Sequence, residues 1–392
     1  MARVKSGFRK RFNIRYWRWL LARATIGRIG PLRRRFSFYP RGVDPGIAAA
    51  LVIEDRKTEL ATAFTPEEST FVRDRCWPYD TLARQWTGGI TVPVQELAMT
   101  VKPAELLGHV SRIFAPRQQG VVIRDVQWVN WNFARAKRLR ALPALSGRCH
   151  LLARTDNYYH ALFEDLVPVV DYIERFHPRD MPLTLLLPPS RLESLNLGCA
   201  LLEQAYPGVR VVAMPDDAKV AVEEALWLSF DAGNAEWSFA DAAPVRRLAE
   251  LFRAHYRVEP GGGRRIFFSR GGSKIRRLLN EEALWDIAKG HGFERFEARG
   301  DNHAEQVRLF SQADVVVGVH GAGLGNLAFC RPGTQVIELF PGNFTKSTYL
   351  WLSKRLGLDY GWLIGEPGDY NQAFVLNEDL LRDKLEKLAA PS

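Results

Sequence analysis

A histidine and two carboxylates fall within about one helical turn of each other in the run Asn157-Tyr158-Tyr159-His160-Ala161-Leu162-Phe163-Glu164-Asp165. The i, i+4 spacing of His160 and Glu164 puts both on one face of a helix, with Asp165 adjacent. An imidazole and a carboxylate within reach of one bound hydroxyl are the groups that general-base chemistry requires. A helix start with solvated acids and a packed histidine is the alternative.

A second feature runs from Ala313 to Leu339, ADVVVGVHGAGLGNLAFCRPGTQVIEL. An apolar run (Val315, Val316, Val317) breaks into a tight turn of Gly318, His320, Gly321, Ala322 and Gly323. A short apolar segment through Leu324, Leu327 and Phe329 follows, then Pro332-Gly333, then a second apolar run from Val336 to Phe340. That order predicts strand, glycine loop, helix, turn, strand. Small loop residues let a ligand approach the backbone, and the helix behind them turns free N–H groups and a positive dipole end towards an anion, a phosphate above all. The loop is not the dinucleotide fingerprint, whose third glycine would fall at Asn326, nor a P-loop, since no Gly-Lys-Ser/Thr occurs. An esterase oxyanion loop would need a Gly-x-Ser-x-Gly elbow, which the chain lacks. His320 is expected either to bond a phosphate or sugar or to brace the loop.

Further polar groups gather around this unit. Ser269 and Arg270 end the run from Ile266, at the carboxyl edge of a sheet where α/β ligands bind. Lys274, Arg276 and Arg277 follow, then Asn280-Glu281. The cations suit a diphosphate, although a solvated helix start accounts for Arg276 and Arg277 as readily. Glu338, ending the strand after the loop, is placed for both hydroxyls of a ribose, with an exposed strand end as the alternative. The remaining histidines show no metal-ligand spacing.

These groups need strands and helices to hold them. Alternation predicts a helix over about 158–176, a strand at 183–187, a helix near 192–205, extended runs at 209–214 and 220–228, and a helix over 245–256. Glu259-Pro260-Gly261-Gly262-Gly263 reads as a domain boundary. Beyond it the alternation restarts, with Asn280 expected to cap one helix and Asn302 with Glu305 to form the capping box of the next. Helices are expected near 348–356 and 378–388. Two doubly wound α/β domains facing a cleft follow from this pattern. Residues 47–150 give only short extended runs between polar turns.

At 392 residues the chain is long enough for two cores. Its net charge of +10 is unevenly spread: residues 1–43 hold thirteen of the 54 Lys and Arg and no acid, and the rest is slightly acidic. Aromatic and basic residues interleave over 8–35, which excludes a membrane span and suits a helix lying on an anionic membrane face; a basic tail docked on the body is the alternative. No nucleic-acid-binding motif occurs. Four cysteines far apart in sequence suggest neither a zinc site nor disulfides, and suit a reducing, cytoplasmic setting.

Taken together, the clusters resemble the family 61 glycosyltransferases, a group that includes bacterial capsule- and polysaccharide-building enzymes. The resemblance rests on Asn157, His160, Asp165 and Pro168; on Ile266 to Arg270 with Arg277, Asn280 and Glu281; on Gly292-Phe293, Gln306 and Phe310; and on Gly318, His320 to Leu324, Asn326, Phe329, Pro332-Gly333 and Glu338-Leu339. Ala161 stands where the family usually has Trp, and Gly325 where Thr or Ser is common.

The resemblance implies a GT-B-like α/β architecture of two Rossmann-like domains and an inverting transfer. Residues 1–45 would form the basic N-terminal segment, 46–258 the acceptor-side domain, 264–360 the nucleotide-sugar domain and 361–392 a helical tail. Asp165, His160 or Glu164 would supply the base, with Asp165 favoured, and Asn157 and Tyr158 would face the acceptor. Ser269, Arg270, Arg276, Arg277, Asn280, His320, Gly321, Ala322, Gly323, Leu324, Asn326 and Glu338 would hold the donor, a UDP-sugar by preference. No Asp-x-Asp occurs, so no metal or other cofactor is expected. The acceptor would be a surface polysaccharide or a lipid-linked glycan at the inner membrane face. A phosphoryl or sugar-phosphate transferase, and a non-catalytic nucleotide-sugar-binding protein, are the competing readings.

Overall fold

The computed structural model describes residues 52–62, 64–76, 90–101, 104–107, 112–114, 121–123, 140–152, 155–231 and 241–388. The basic segment 1–45, with the membrane surface expected over 8–35, lies outside the described residues.

Two sheets organise the chain. The first has ten strands, β1 (Val52–Thr62), β2 (Ile90–Val101), β3 (Ala104–Leu107), β4 (Arg112–Phe114), β5 (Val121–Ile123), β6 (Arg140–Ala141), β7 (Leu145–Leu151), β8 (Leu183–Leu187), β9 (Val209–Ala213) and β10 (Ala218–Asp231). Strands β10, β7, β8 and β9 run parallel, whereas β2 and β3 pair with β10 antiparallel and β1 pairs with β2. This half is therefore a mixed sheet, not the doubly wound one expected. Short connections such as that between β3 and β4 leave no room for the helical crossover that a parallel pair demands.

The second sheet is all parallel: β11 (Arg264–Ser269), β12 (Glu294–Glu297), β13 (Ala313–Val319), β14 (Gln335–Phe340) and β15 (Asp359–Ile364), in the order β12-β11-β13-β14-β15. The chain leaves β11 to one side for β12, then crosses back to β13 on the other. The carboxyl ends of β11 and β13 therefore flank the reversal point, where open α/β sheets bind ligands. The boundary expected at 360 runs through β15. The helix Glu378–Glu386 buries Leu381 and Leu385 in one core with Leu284 and Ala288, so the expected tail is part of this domain. Its apolar i, i+4 pair needs a partner, and the helix Glu281–Gly290 supplies it.

A single helical rod carries the His160 cluster: α-helical over Tyr158–His160, π-helical over Ala161–Leu166 and α-helical again over Val167–Arg175. Such π segments inside α-helices recur at functional sites. The rod buries Phe163 and Leu166 in a cluster that also holds Phe252 of the helix Ala243–Tyr256 and Phe310, Leu324 and Phe329 of the second half. One core thus joins the two sheets.

Polar contacts reinforce that seam around His303, which is 3% exposed. The Tyr158 hydroxyl donates to Asn326 Oδ1 at 2.6 Å and lies 3.2 Å from His303 Nε2; the Tyr256 hydroxyl lies 3.1 Å from Nδ1. With the Tyr158 proton committed to Asn326, His303 Nε2–H donates to Tyr158 and Nδ1 accepts from Tyr256. Burial lowers the His303 pKa to about 4. The unfolded chain then takes up a proton first, so this contribution to stability is complete above pH 6.5 and is lost as pH falls towards 4. We expect about 3 kcal/mol of acid destabilisation from this group. Denaturant unfolding between pH 7 and pH 4 tests this, and His303→Gln should flatten the dependence.

Two predicted caps differ in the structure. Asn280 does start the helix Glu281–Gly290, but its side chain donates to Leu376 O and accepts from Leu376 N–H, so it ties in the C-terminal segment. The Asn302 side chain bonds Glu297 O, Arg299 N and Gln306 Nε2 in place of its own helix. A tertiary partner displaces the local N–H groups at Asn280, whereas at Asn302 the preceding loop and the Gln306 side chain do so.

Candidate active site

Two glycines let β11 close on the loop after β13. A Cβ at Gly323 would stand 2.6 Å from the Phe268 ring, and one at Gly321 would stand 1.5 Å from Arg270 Nη1. Phe268 therefore packs beneath the loop, and the Arg270 guanidinium lies across Gly321. The segment beyond Gly321 is a 3-10 helix, Ala322–Phe329, rather than an α-helix. A pocket opens here, lined by Ser269, Arg270, Ser273, Glu297 and the backbone of Gly321–Gly323.

Arg270 donates to His320 O at 2.6 Å and to Ser273 Oγ at 2.9 Å. Arg276, at a left-handed φ of 56°, donates to the same carbonyl at 3.0 Å and to Gln372, and its guanidinium lies 5.0 Å over the Phe344 ring. Each guanidinium thus uses two of its five donors. Neither has a carboxylate at ion-pair distance among the described residues. Burial, with Arg276 alongside, lowers the Arg270 pKa to about 10, and burial lowers that of Arg276 as well. Two half-buried like charges converging on one carbonyl are unfavourable alone and favourable once an anion joins them.

His320 is 6% exposed and stacks on Phe340, with ring centroids 5.3 Å apart. Its Nδ1 lies 2.5 Å from Glu338 Oε1. Burial, then the charges of Arg276, Lys346 and Arg270, push its pKa well below the ordinary histidine value. A neutral imidazole therefore donates Nδ1–H to the carboxylate. Glu338 is wholly enclosed, its other oxygen accepting from Tyr360 O–H at 2.6 Å. The ribose position expected for Glu338 is corrected accordingly: the residue lies within β14, not at an open strand end, and it orients His320.

Other expected donor contacts also turn inward. Ser269 lines the pocket, but its Oγ donates to Glu281 and accepts from Gly271 N–H. Leu324 is core, and Asn326 is fully buried, bonding Tyr158, Gln306 and Gly323 O. Arg277 is exposed, its carbonyl accepting from Phe374 N–H, and does not line the pocket. Tyr158, expected at the acceptor, staples the two halves.

On the rod, Asn157 Oδ1 accepts from the N–H groups of Tyr159 and His160 and so fixes the first turn. His160 Nδ1 lies 2.7 Å from Glu164 Oε1, with side chains 20% and 15% exposed. The contact is at ion-pair distance without hydrogen-bond geometry; a carboxylate beside Nδ1 favours the proton there and leaves Nε2 as the acceptor, the layout of a base beside an acid. Asp165, the favoured base, is 0% exposed, and its charge acts on the buried Cys199. No substrate hydroxyl reaches it without opening the core. Tyr159 meets Tyr349 edge-on at 6.0 Å, and the Tyr349 hydroxyl donates to Gly321 O at 2.6 Å, connecting rod and loop.

Tyr349, Tyr360, Ser273 and Glu297 escaped the sequence reading. Tyr349 and Tyr360 occupy ordinary apolar positions of a helix and a strand, with no local signal. Among the described residues no group of three or more His, Cys, Asp or Glu is placed to hold a metal ion. No described helix is long and apolar enough to cross a membrane.

Residues 158–337 match the family model described as Glycosyltransferase 61. Over 99 residues the chain is 34% identical to the xylan glycosyltransferase MUCI21 of Arabidopsis thaliana, covering 24% of this chain and 20% of that protein. Over 111 residues it is 33% identical to the beta-1,2-xylosyltransferase RCN11 of Oryza sativa subsp. japonica, covering 26% and 21%. A beta-1,2-xylosyltransferase of Arabidopsis thaliana is 30% identical over 137 residues, covering 31% and 24%. The chain spans about a fifth to a quarter of the length of these relatives. They are plant enzymes, and they lend no support to the bacterial capsular type expected from the resemblance. The stretch similar to glycosyltransferase family 61, residues 158–337, holds both the His160–Glu164 pair and the arginine-backed loop.

Proposed function

We propose that this chain is an inverting, metal-independent glycosyltransferase that moves a sugar from a nucleotide-sugar donor to a hydroxyl of a glycan. The observation that carries this reading is the pair Arg270 and Arg276, which share the His320 carbonyl and have no carboxylate partner among the described residues. In the proposed reaction His160 Nε2 takes the acceptor proton while Glu164 stabilises the imidazolium. The acceptor oxygen attacks the anomeric carbon opposite the diphosphate, the bond to the diphosphate breaks, and its electron pair goes to the departing phosphate oxygen. Arg270, Arg276 and the first N–H groups of the 3-10 helix stabilise that charge, the role a metal plays elsewhere. One displacement inverts the anomeric configuration.

A UDP-sugar is our preferred donor, and xylose is the first sugar to test, given the names of the relatives. The acceptor we propose is a surface polysaccharide or a lipid-linked glycan, reached from the cytoplasmic membrane face through the basic segment 8–35. A thermal-shift titration with UDP, GDP, CDP and ADP, with and without EDTA, tests the donor site. Selective stabilisation by one nucleotide, unchanged by EDTA, is expected, as is release of that nucleotide together with a new glycosidic bond. A folded sample that no nucleotide stabilises would sink the reading.

A further inference from the structure

Acidic residues surround β12, and three of them are paired: Glu294 with Arg264, and Glu281 and Glu282 with Arg295. Glu297 differs. It ends β12, is exposed, and among the described residues its carboxylate makes neither an ion pair nor a hydrogen bond. It lines the same pocket as Arg270 and the loop backbone. Its carboxylate lies against Gly271, where a Cβ would stand 2.1 Å from Oε1 and where φ is +38°. The left-handed backbone there favours glycine, and the missing Cβ leaves the carboxylate room to lie over it.

We propose that Glu297 binds the vicinal hydroxyls of the donor's ribose; this rests on the nucleotide-sugar reading above. With the diphosphate on Arg270 and the loop, between the ends of β11 and β13, the ribose lies one ester bond away. The end of β12 is one strand over from β11, a step of about 4.8 Å between strands. A carboxylate next to a diphosphate is repelled unless it has donors to accept from, and a cis-diol offers two to its two oxygens. In sheets that bind dinucleotides, an acid at the end of the second strand takes the ribose hydroxyl. Counting from β11, β12 is that second strand. Glu338, enclosed by His320 and Tyr360, cannot fill the role.

Calorimetric titration tests this with whichever of UDP, GDP, CDP and ADP binds tightest, its 2′-deoxy counterpart, and inorganic pyrophosphate. Glu297→Ala should weaken the ribonucleotide by about tenfold to hundredfold. It should tighten pyrophosphate slightly or leave it unchanged, because the repelling carboxylate is gone, and erase the wild-type preference for the ribo over the deoxy form. Equal binding of ribo and deoxy forms by the wild type would overturn the proposal. So would an equal loss for both forms in Glu297→Ala, or a loss seen only with the intact nucleotide sugar. A folded wild type that binds none of the four diphosphates would overturn the donor reading, and this inference would fall with it.

Discussion

Arg270→Ala should reduce both nucleoside diphosphate affinity and turnover at saturating donor by about 10²–10³, the range for removing one positioned donor from a developing anion. The argument rests on placement. The guanidinium is held by His320 O and Ser273 Oγ across the open face of Gly321, so its remaining donors are oriented before the ligand arrives. Lysine keeps the charge but cannot span carbonyl, hydroxyl and phosphate together, so Arg270→Lys should recover only part of the loss. Unfolding temperature separates this from damage to the fold. Removing a half-buried charge that has no carboxylate partner among the described residues relieves desolvation and forfeits the hydrogen bonds to His320 O and Ser273 Oγ; these offset, and the unliganded variant should melt near the wild type. Nucleotide binding by Arg270→Ala at wild-type affinity would remove the anion-site argument altogether.

His160→Ala should lower kcat by about 10²–10⁴, the usual contribution of a general base, while diphosphate affinity stays within about twofold. Our proposal gives this role to the His160–Glu164 pair rather than to Asp165 on accessibility. His160 and Glu164 are partly exposed and 2.7 Å apart, whereas Asp165 is sealed beside Cys199. Glu164→Gln should fall between wild type and His160→Ala, because the amide keeps the size of the group beside Nδ1 but no longer stabilises the imidazolium. Asp165→Asn should act on the unfolding temperature first. Loss of activity in Asp165→Asn at an unchanged unfolding temperature, with His160→Ala active, would return the base to Asp165.

Much of the second half was legible because its physics is local. The run Val315–Val317 is apolar on both faces, and Val336–Phe340 is so but for Glu338, as suits buried parallel strands, and the break at Gly318–Gly323 marks the loop without reference to the rest of the chain. The first half was less legible. Its strands pair antiparallel across long intervals, so β2 and β3 meet β10 more than a hundred residues later, and no short-range period records that. The basic segment 1–43, clear in composition, lies outside the described residues.

By itself the sequence determined which chemistry was present: a histidine with carboxylates at helical spacing, a cationic strand end, and a glycine loop without a nucleotide fingerprint. Residue type and periodicity suffice for that. Only the tertiary structure decided which of these groups are enclosed and which stay open. Glu338 and Asp165, the obvious acids on paper, are enclosed, the first by Tyr360 and His320 and the second beside Cys199. Glu297, which carries no motif, is left open at the reversal point of the sheet. The reason is that burial depends on what packs from distant parts of the chain, and a carboxylate's role follows from whether its oxygens already have partners.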